Sequence, residues 1–169
     1  MDVIALNANG YDYAVASLGT ALTRDQIKLV SRYAPEIYVS YDGDKAGISA
    51  THRAIELARA EKLKVRVISL SGGKDPDEYM RELGPQAYAD SMSSAKWGID
   101  YLLDEALDCL DSEEAKAKAA FEGSRLVGQY AFDSIETEMY LKRISQKTGF
   151  SIEALYLSLI HISEPTRPR

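Results

Sequence analysis

Cysteine occurs once in this 169-residue sequence, as Cys109, and histidine twice, as His52 and His161. One thiol can neither close an internal disulfide nor build a zinc cage. Cys109 falls in the helical-looking run Asp104 to Leu110 and reads as a reduced, partly buried thiol of a cytosolic protein. No Ser/His/Asp or Cys/His device is present, and no nucleophile elbow. Apolar runs are short as well: none approaches the roughly 18 to 20 residues of a membrane span. Met1 is followed by Asp2 rather than by a basic and then apolar leader, so the expectation is a soluble, unexported cytoplasmic chain with no membrane partner. Positive charge is scarce too. Lys and Arg number 20 against 26 Asp and Glu, a formal net charge of −6, which argues against binding a phosphate backbone by bulk charge. Any nucleic-acid contact must be local or borrowed. Internal repeats and low-complexity linkers are absent.

Hydrophobic residues make up 46% of the chain and charged residues 27%, enough for one ordinary core and a small second one. The first part alternates apolar runs with helical patterns. Tyr13 to Ser17 reads as a strand, and after the Gly19-Thr20 break Thr23 caps a helix running to about Tyr33. Ile37 to Tyr41 is a second strand candidate, followed from Asp44 by a long helical pattern through Ala46, Ala50, Ala54, Ile55, Leu57 and Ala58. Val65 to Leu70 is a third, ended by Gly72-Gly73. Strands separated by such helices imply right-handed crossovers and a parallel sheet. From Trp97 onward the period is helical: Ile99, Leu102, Leu103, Ala106, Leu107 and Leu110 share one face. Ser112 is a cap for the next helix, and a further one carries Ile135, Met139, Tyr140 and Ile144 before Gly149. The expected fold class is α/β, a parallel sheet flanked by helices and followed by an α-helical subdomain.

Asp42-Gly43-Asp44 stands at the carboxyl end of a predicted parallel strand, the edge at which open α/β sheets bind ligands. Two aspartates around a glycine can aim at one hard cation, and carboxylate oxygens are what magnesium selects. Equally, Asp44 can simply cap the following helix and Asp42 make an Asx turn. The run Ser71-Gly72-Gly73-Lys74-Asp75-Pro76-Asp77-Glu78 poses the same choice, because Asp75 is a good N-cap with Pro76 at the first helical position. What favours metal is coincidence: two acidic groups end successive parallel strands, and four carboxylates on one edge repel unless cations lie between them. Magnesium there would serve phosphoryl or nucleotidyl transfer.

Asp42-Gly43-Asp44-Lys45-Ala46-Gly47, Gly73-Lys74-Asp75-Pro76-Asp77 and Ala16-Ser17-Leu18-Gly19-Thr20-Ala21 resemble the Toprim core of bacterial DNA primases. Ile99-Asp100-Tyr101-Leu102-Leu103, Tyr140-Leu141-Lys142-Arg143-Ile144 and Lys147-Thr148-Gly149 resemble the helical part of the primase polymerase domain. The resemblance covers nearly all of residues 1–156. It implies a Toprim core over residues 1–93 lacking its first strand, a helical subdomain over 94–156, and a tail over 157–169 that looks like translated adapter sequence. The activity it implies is magnesium-dependent, manganese serving as an alternative, and joins ribonucleoside triphosphates into a short RNA primer on a single-stranded DNA template. The replicative helicase is the implied partner, through a domain not contained here. Asp42, Asp44 and Asp77 match the family's catalytic and metal-binding carboxylates, and Asp75 is a further metal position.

Two departures accompany the match. The family pattern Glu-Gly-Tyr-Met-Asp is met here only by Met1-Asp2, so its catalytic glutamate, the basic upstream half and the zinc module are expected to be missing. The isolated chain is accordingly expected to be inactive. Leu157 to Arg169 departs as well, and His161 within it is no candidate base. Two other readings stand beside this one: a Toprim-like module that binds metal or a partner without turnover, and a magnesium-dependent phosphotransferase using Asp42 as nucleophile.

Overall fold

The structure, a computed structural model, describes residues 1–17 and 21–163. The break expected at Gly19-Thr20 and the final tail residues lie outside that range. The chain divides into two compact units, Met1–Gly98 and Ile99–Arg169.

The first unit contains α1 (Asp2–Ala8), α2 (Arg24–Val30), β1 (Glu36–Val39), α3 (Lys45–Ala60), β2 (Lys64–Val67), α4 (Pro76–Ser93) and β3 (Lys96–Trp97). β1 and β2 pair in parallel, Glu36 opposite Lys64 and Val39 opposite Val67. α3 supplies the crossover between them, which a hairpin turn cannot do for parallel strands. β3 adds antiparallel to β2, with Arg66 opposite Trp97, so the sheet is a small mixed one. Two residues are too few to show a period, which is why Trp97 reads as the start of a helix in the sequence. Arg66 binds the three strands together: its guanidinium lies 3.8 Å from the Trp97 ring centroid and its Nε donates to Glu36 Oε1 at 2.8 Å. Val39, Val65 and Val67 are buried, as are Ile27 of α2 and Ala54, Ile55 and Ala58 of α3. Each fully buried aliphatic side chain contributes roughly 1.5–3 kcal/mol. A further cluster joins Leu6 of α1, Ile68 at the end of β2, and Tyr79, Met80 and Tyr88 of α4.

Tyr13 to Ser17 is not a strand. Alternation alone cannot make a ladder without a neighbour, and Tyr13 and Val15 are largely exposed; the chain is held just before them, where Tyr11 meets Tyr88 edge-on at 5.1 Å and Tyr13 at 6.1 Å and its carbonyl accepts the Ala14 amide.

The second unit holds α5 (Gly98–Ala106, whose first residue closes the first unit), α6 (Glu113–Tyr130), α7 (Ser134–Thr148) and α8 (Ile152–Ser163). Its core includes Leu103, Val127, Leu141 and Ile144, none of them exposed. Ser112 caps α6 as expected, and α7 is capped by Asp133 and closed by Gly149 in the left-handed conformation at φ 83°. Arg143 of α7 donates to Asp100 at 2.7 Å and also binds Asp104, both on α5. Cys109 is exposed rather than partly buried, because α5 ends at Ala106 and leaves it in the connection to α6. Among the described residues no helix is long and apolar enough to cross a membrane.

Candidate carboxylate site at the sheet edge

β1 ends at Val39 and β2 at Val67, and both strands deliver their chains to the same edge, where the Ile68 amide still donates to the Val39 carbonyl at 2.9 Å. From β1 the chain passes through Ser40 and Tyr41 to Asp42 and enters α3. From β2 it passes through a 3₁₀ turn, Ser71–Gly73, and enters α4.

Asp44 and Asp75 occupy equivalent positions. Each is the N-cap of its helix, and each accepts a backbone amide through Oδ1 at 2.7 Å, Asp44 from Gly47 and Asp75 from Glu78. Such a cap satisfies an amide that the helix itself cannot, typically for about 1 kcal/mol. The capping reading of both residues is therefore observed. It leaves Oδ2 of each outside the capping bond.

Asp42 caps nothing further along and is exposed. Its carboxyl is nonetheless held above the usual carboxylate range, first by partial desolvation and then by the negative charges of Asp75, Asp44 and Asp2, with its own backbone amide pulling the other way. Four carboxylates thus share one electrostatic environment. Asp77 stands differently: its Oδ2 faces Arg81 at 3.9 Å, and its backbone amide donates to Asp2 Oδ1 at 3.4 Å. Lys74 is bound to Glu82 of α4.

Asp2 is the residue that reading the sequence for sites overlooks. α1 brings it beside α4, with Leu6 buried in the cluster behind. Its signal was present as the final residue of the partial Glu-Gly-Tyr-Met-Asp match.

The donor chemistry fits a hard divalent cation, since all four groups are carboxylates and their mutual repulsion is already visible at Asp42. Among the described residues no group of three or more His, Cys, Asp or Glu side chains is gathered closely enough to hold a metal ion by itself.

Residues 1–80 match the Toprim-like family. A DNA primase of Clostridium acetobutylicum is 37% identical over 158 residues, covering 92% of this chain and 26% of the relative. A DNA primase of Synechococcus elongatus is 39% identical over 157 residues, covering 86% of this chain and 22% of the relative. The chain therefore spans about a quarter of the length of these curated relatives. Among solved structures, a DNA primase domain from Pseudomonas aeruginosa superposes with a TM-score of 0.76 at 31% identity, covering 95% of this chain and 51% of that one. A DnaG primase catalytic domain bound to single-stranded DNA gives 0.74 at 29% identity, covering 90% and 50%.

Proposed function

Because the chain belongs to the DNA primase family, as a stretch of its Toprim-bearing catalytic core, we propose that its carboxylate edge is the metal centre of a DNA-directed RNA polymerase. The observation that carries this reading is the shared field of Asp42, Asp44 and Asp75, which follow the ends of two parallel strands, and of Asp2, which α1 brings beside them. In this reading Asp42, Asp44 and Asp77 are the catalytic carboxylates, and Asp75 holds metal with them. Magnesium, or manganese in its place, supplies positive charge that activates an attacking hydroxyl and neutralises phosphate oxygens.

The chain's own part is placement. Asp44 and Asp75 are fixed by the amides they cap, so their free oxygens are held by rigid helices instead of mobile loops. Asp42, uncapped and crowded by like charge, gains most from a cation. The substrates of the whole enzyme are ribonucleoside triphosphates and a single-stranded DNA template, the product is an RNA primer, and the replicative helicase partners it through another domain, in the cytoplasm at the replication fork. With a net charge of −6, this stretch contributes few phosphate contacts, and the template groove is completed by residues outside it. Spanning a quarter of its relatives, the isolated chain makes no primer.

The test uses the whole primase. Asp42→Asn and Asp44→Asn should each abolish incorporation of labelled ribonucleotides on single-stranded DNA while template binding persists. Primer synthesis surviving both substitutions would refute the assignment.

A further inference from the structure

Gly47 is buried in the first turn of α3 and touches both aspartates of the Asp42-Gly43-Asp44 segment. Its amide donates to Asp44 Oδ1 at 2.7 Å. A Cβ placed on it would stand 1.9 Å from the Asp42 carbonyl oxygen, 2.8 Å from its carbonyl carbon and 3.0 Å from its amide nitrogen. All three atoms are backbone, so no side-chain rotation relieves the overlap. An ordinary contact begins near 3.4 Å, so one or other partner must move by about 1.5 Å. α3 is the less able to move. Ala54 and Ala58 have no exposure, Ile55 is 3% exposed, and the Thr51 hydroxyl donates to the Gly47 carbonyl at 2.9 Å inside the helix. A close-packed interior resists such a shift, so the displacement falls on the Asp42 segment.

We propose that Gly47 is the positioning residue of the carboxylate site: the missing side chain lets the Asp42 backbone lie on α3 while the same residue's amide holds Asp44. Functional groups need placement to within roughly 0.5 Å. Any side chain at position 47 exceeds that tolerance at Asp42 and leaves Asp75, on α4, where it is. This inference rests on the metal reading of the site, and it adds a residue that touches neither metal nor substrate.

Gly98 provides the control. It is also buried, but the three atoms nearest to a Cβ there all belong to the Ile55 side chain, at 3.1–3.5 Å, and none is backbone. The experiment titrates the full chain with manganese alone, following free ion by electron paramagnetic resonance, for the wild type, Gly47→Ala and Gly98→Ala. Metal-free ¹⁵N spectra and thermal midpoints are recorded for each. Gly98→Ala should bind manganese as the wild type does. Gly47→Ala should bind at least about tenfold more weakly, the scale on which supporting residues act, with its metal-free spectral changes concentrated at Asp42 to Asp44. Its thermal midpoint should fall no further than that of Gly98→Ala by more than a few degrees. Unchanged affinity in Gly47→Ala, equal losses in both variants, or failure of Gly47→Ala to fold would each overturn the positioning role. A wild type that binds no manganese would instead remove the metal reading itself, and the inference with it.

Discussion

Arg143 is the residue whose removal the second unit should feel most sharply among its charged groups. It reaches from α7 to two carboxylates of α5, Asp100 at 2.7 Å and Asp104. A hydrogen bond to a charged group is worth about 1.5–3 kcal/mol when sheltered, and an exposed ion pair about 0.2–1 kcal/mol. Arg143 and Asp100 retain 32% and 27% side-chain exposure, and Asp104 40%, which places the pair of bonds between those limits. Arg143→Met keeps the aliphatic stem but deletes both bonds, and it leaves Asp100 and Asp104 repelling one another one helical turn apart. The net loss should be about 2 kcal/mol, or roughly 4–8 °C in thermal midpoint for a chain of this size. Tyr140 reports on the same cluster, because desolvation and then the Asp100 charge push its hydroxyl well above the usual tyrosine range. The assay is thermal unfolding by circular dichroism, with Asp100→Asn and the double variant completing a cycle. Coupling between Arg143 and Asp100 of about 1 kcal/mol is expected. A loss under about 0.5 kcal/mol with additive effects would show that these contacts are solvated pairs of no structural weight.

Asp42→Asn should raise the thermal midpoint at neutral pH even as it weakens metal binding. The folded state holds the Asp42 proton more tightly than the unfolded chain, so this group favours folding below its ordinary range and opposes it as pH rises through the raised value. The difference between variant and wild type should grow across that window and vanish below it, and a lower midpoint for the variant at pH 7 would contradict the repulsion. Helix packing around α6 offers a paired test. Gly123→Ala should destabilise, since its Cβ would lie 3.0 Å from Ile144 Cδ1, whereas Gly128→Ala, meeting Leu159 at an ordinary 3.4 Å, should stabilise by roughly 0.5 kcal/mol through helix propensity. Equal signs in thermal unfolding would refute the contrast.

Local chemistry was legible in the sequence wherever one turn of chain contains both partners. Thr23 with Gln26, Asp44 with Gly47, Asp75 before Pro76, Ser112 before Glu113 and Gly149 after Thr148 all cap helices where their residue types predict. The parallel pairing of β1 and β2 was legible as well, because a 16-residue helix between two apolar runs leaves little choice. What was not legible depends on distant partners. The alternation of Tyr13 to Ser17 has the right period but no strand to pair with. Gly47 reads as one small residue in a motif until α3 is laid against the Asp42 backbone. The choice between cap and ligand at Asp44 and Asp75 could not be made from spacing, since one carboxylate oxygen can cap while the other stays outside the capping bond. Asp2 needed α1 to bring it there. The Asp100–Arg143 match looked like a family signature, and its physical content is a tie between two helices.

Binding of a divalent cation at the acidic sheet edge can be read from manganese-induced line broadening in the ¹⁵N spectrum of the full chain. Paramagnetic broadening should appear first around Asp42, Asp44, Asp75 and Asp77, extend to Asp2, compete with magnesium, and be largely abolished by Asp42→Asn. Broadening centred on the acidic stretch from Asp104 to Glu114, or broadening at the edge that Asp42→Asn leaves intact, would contradict it.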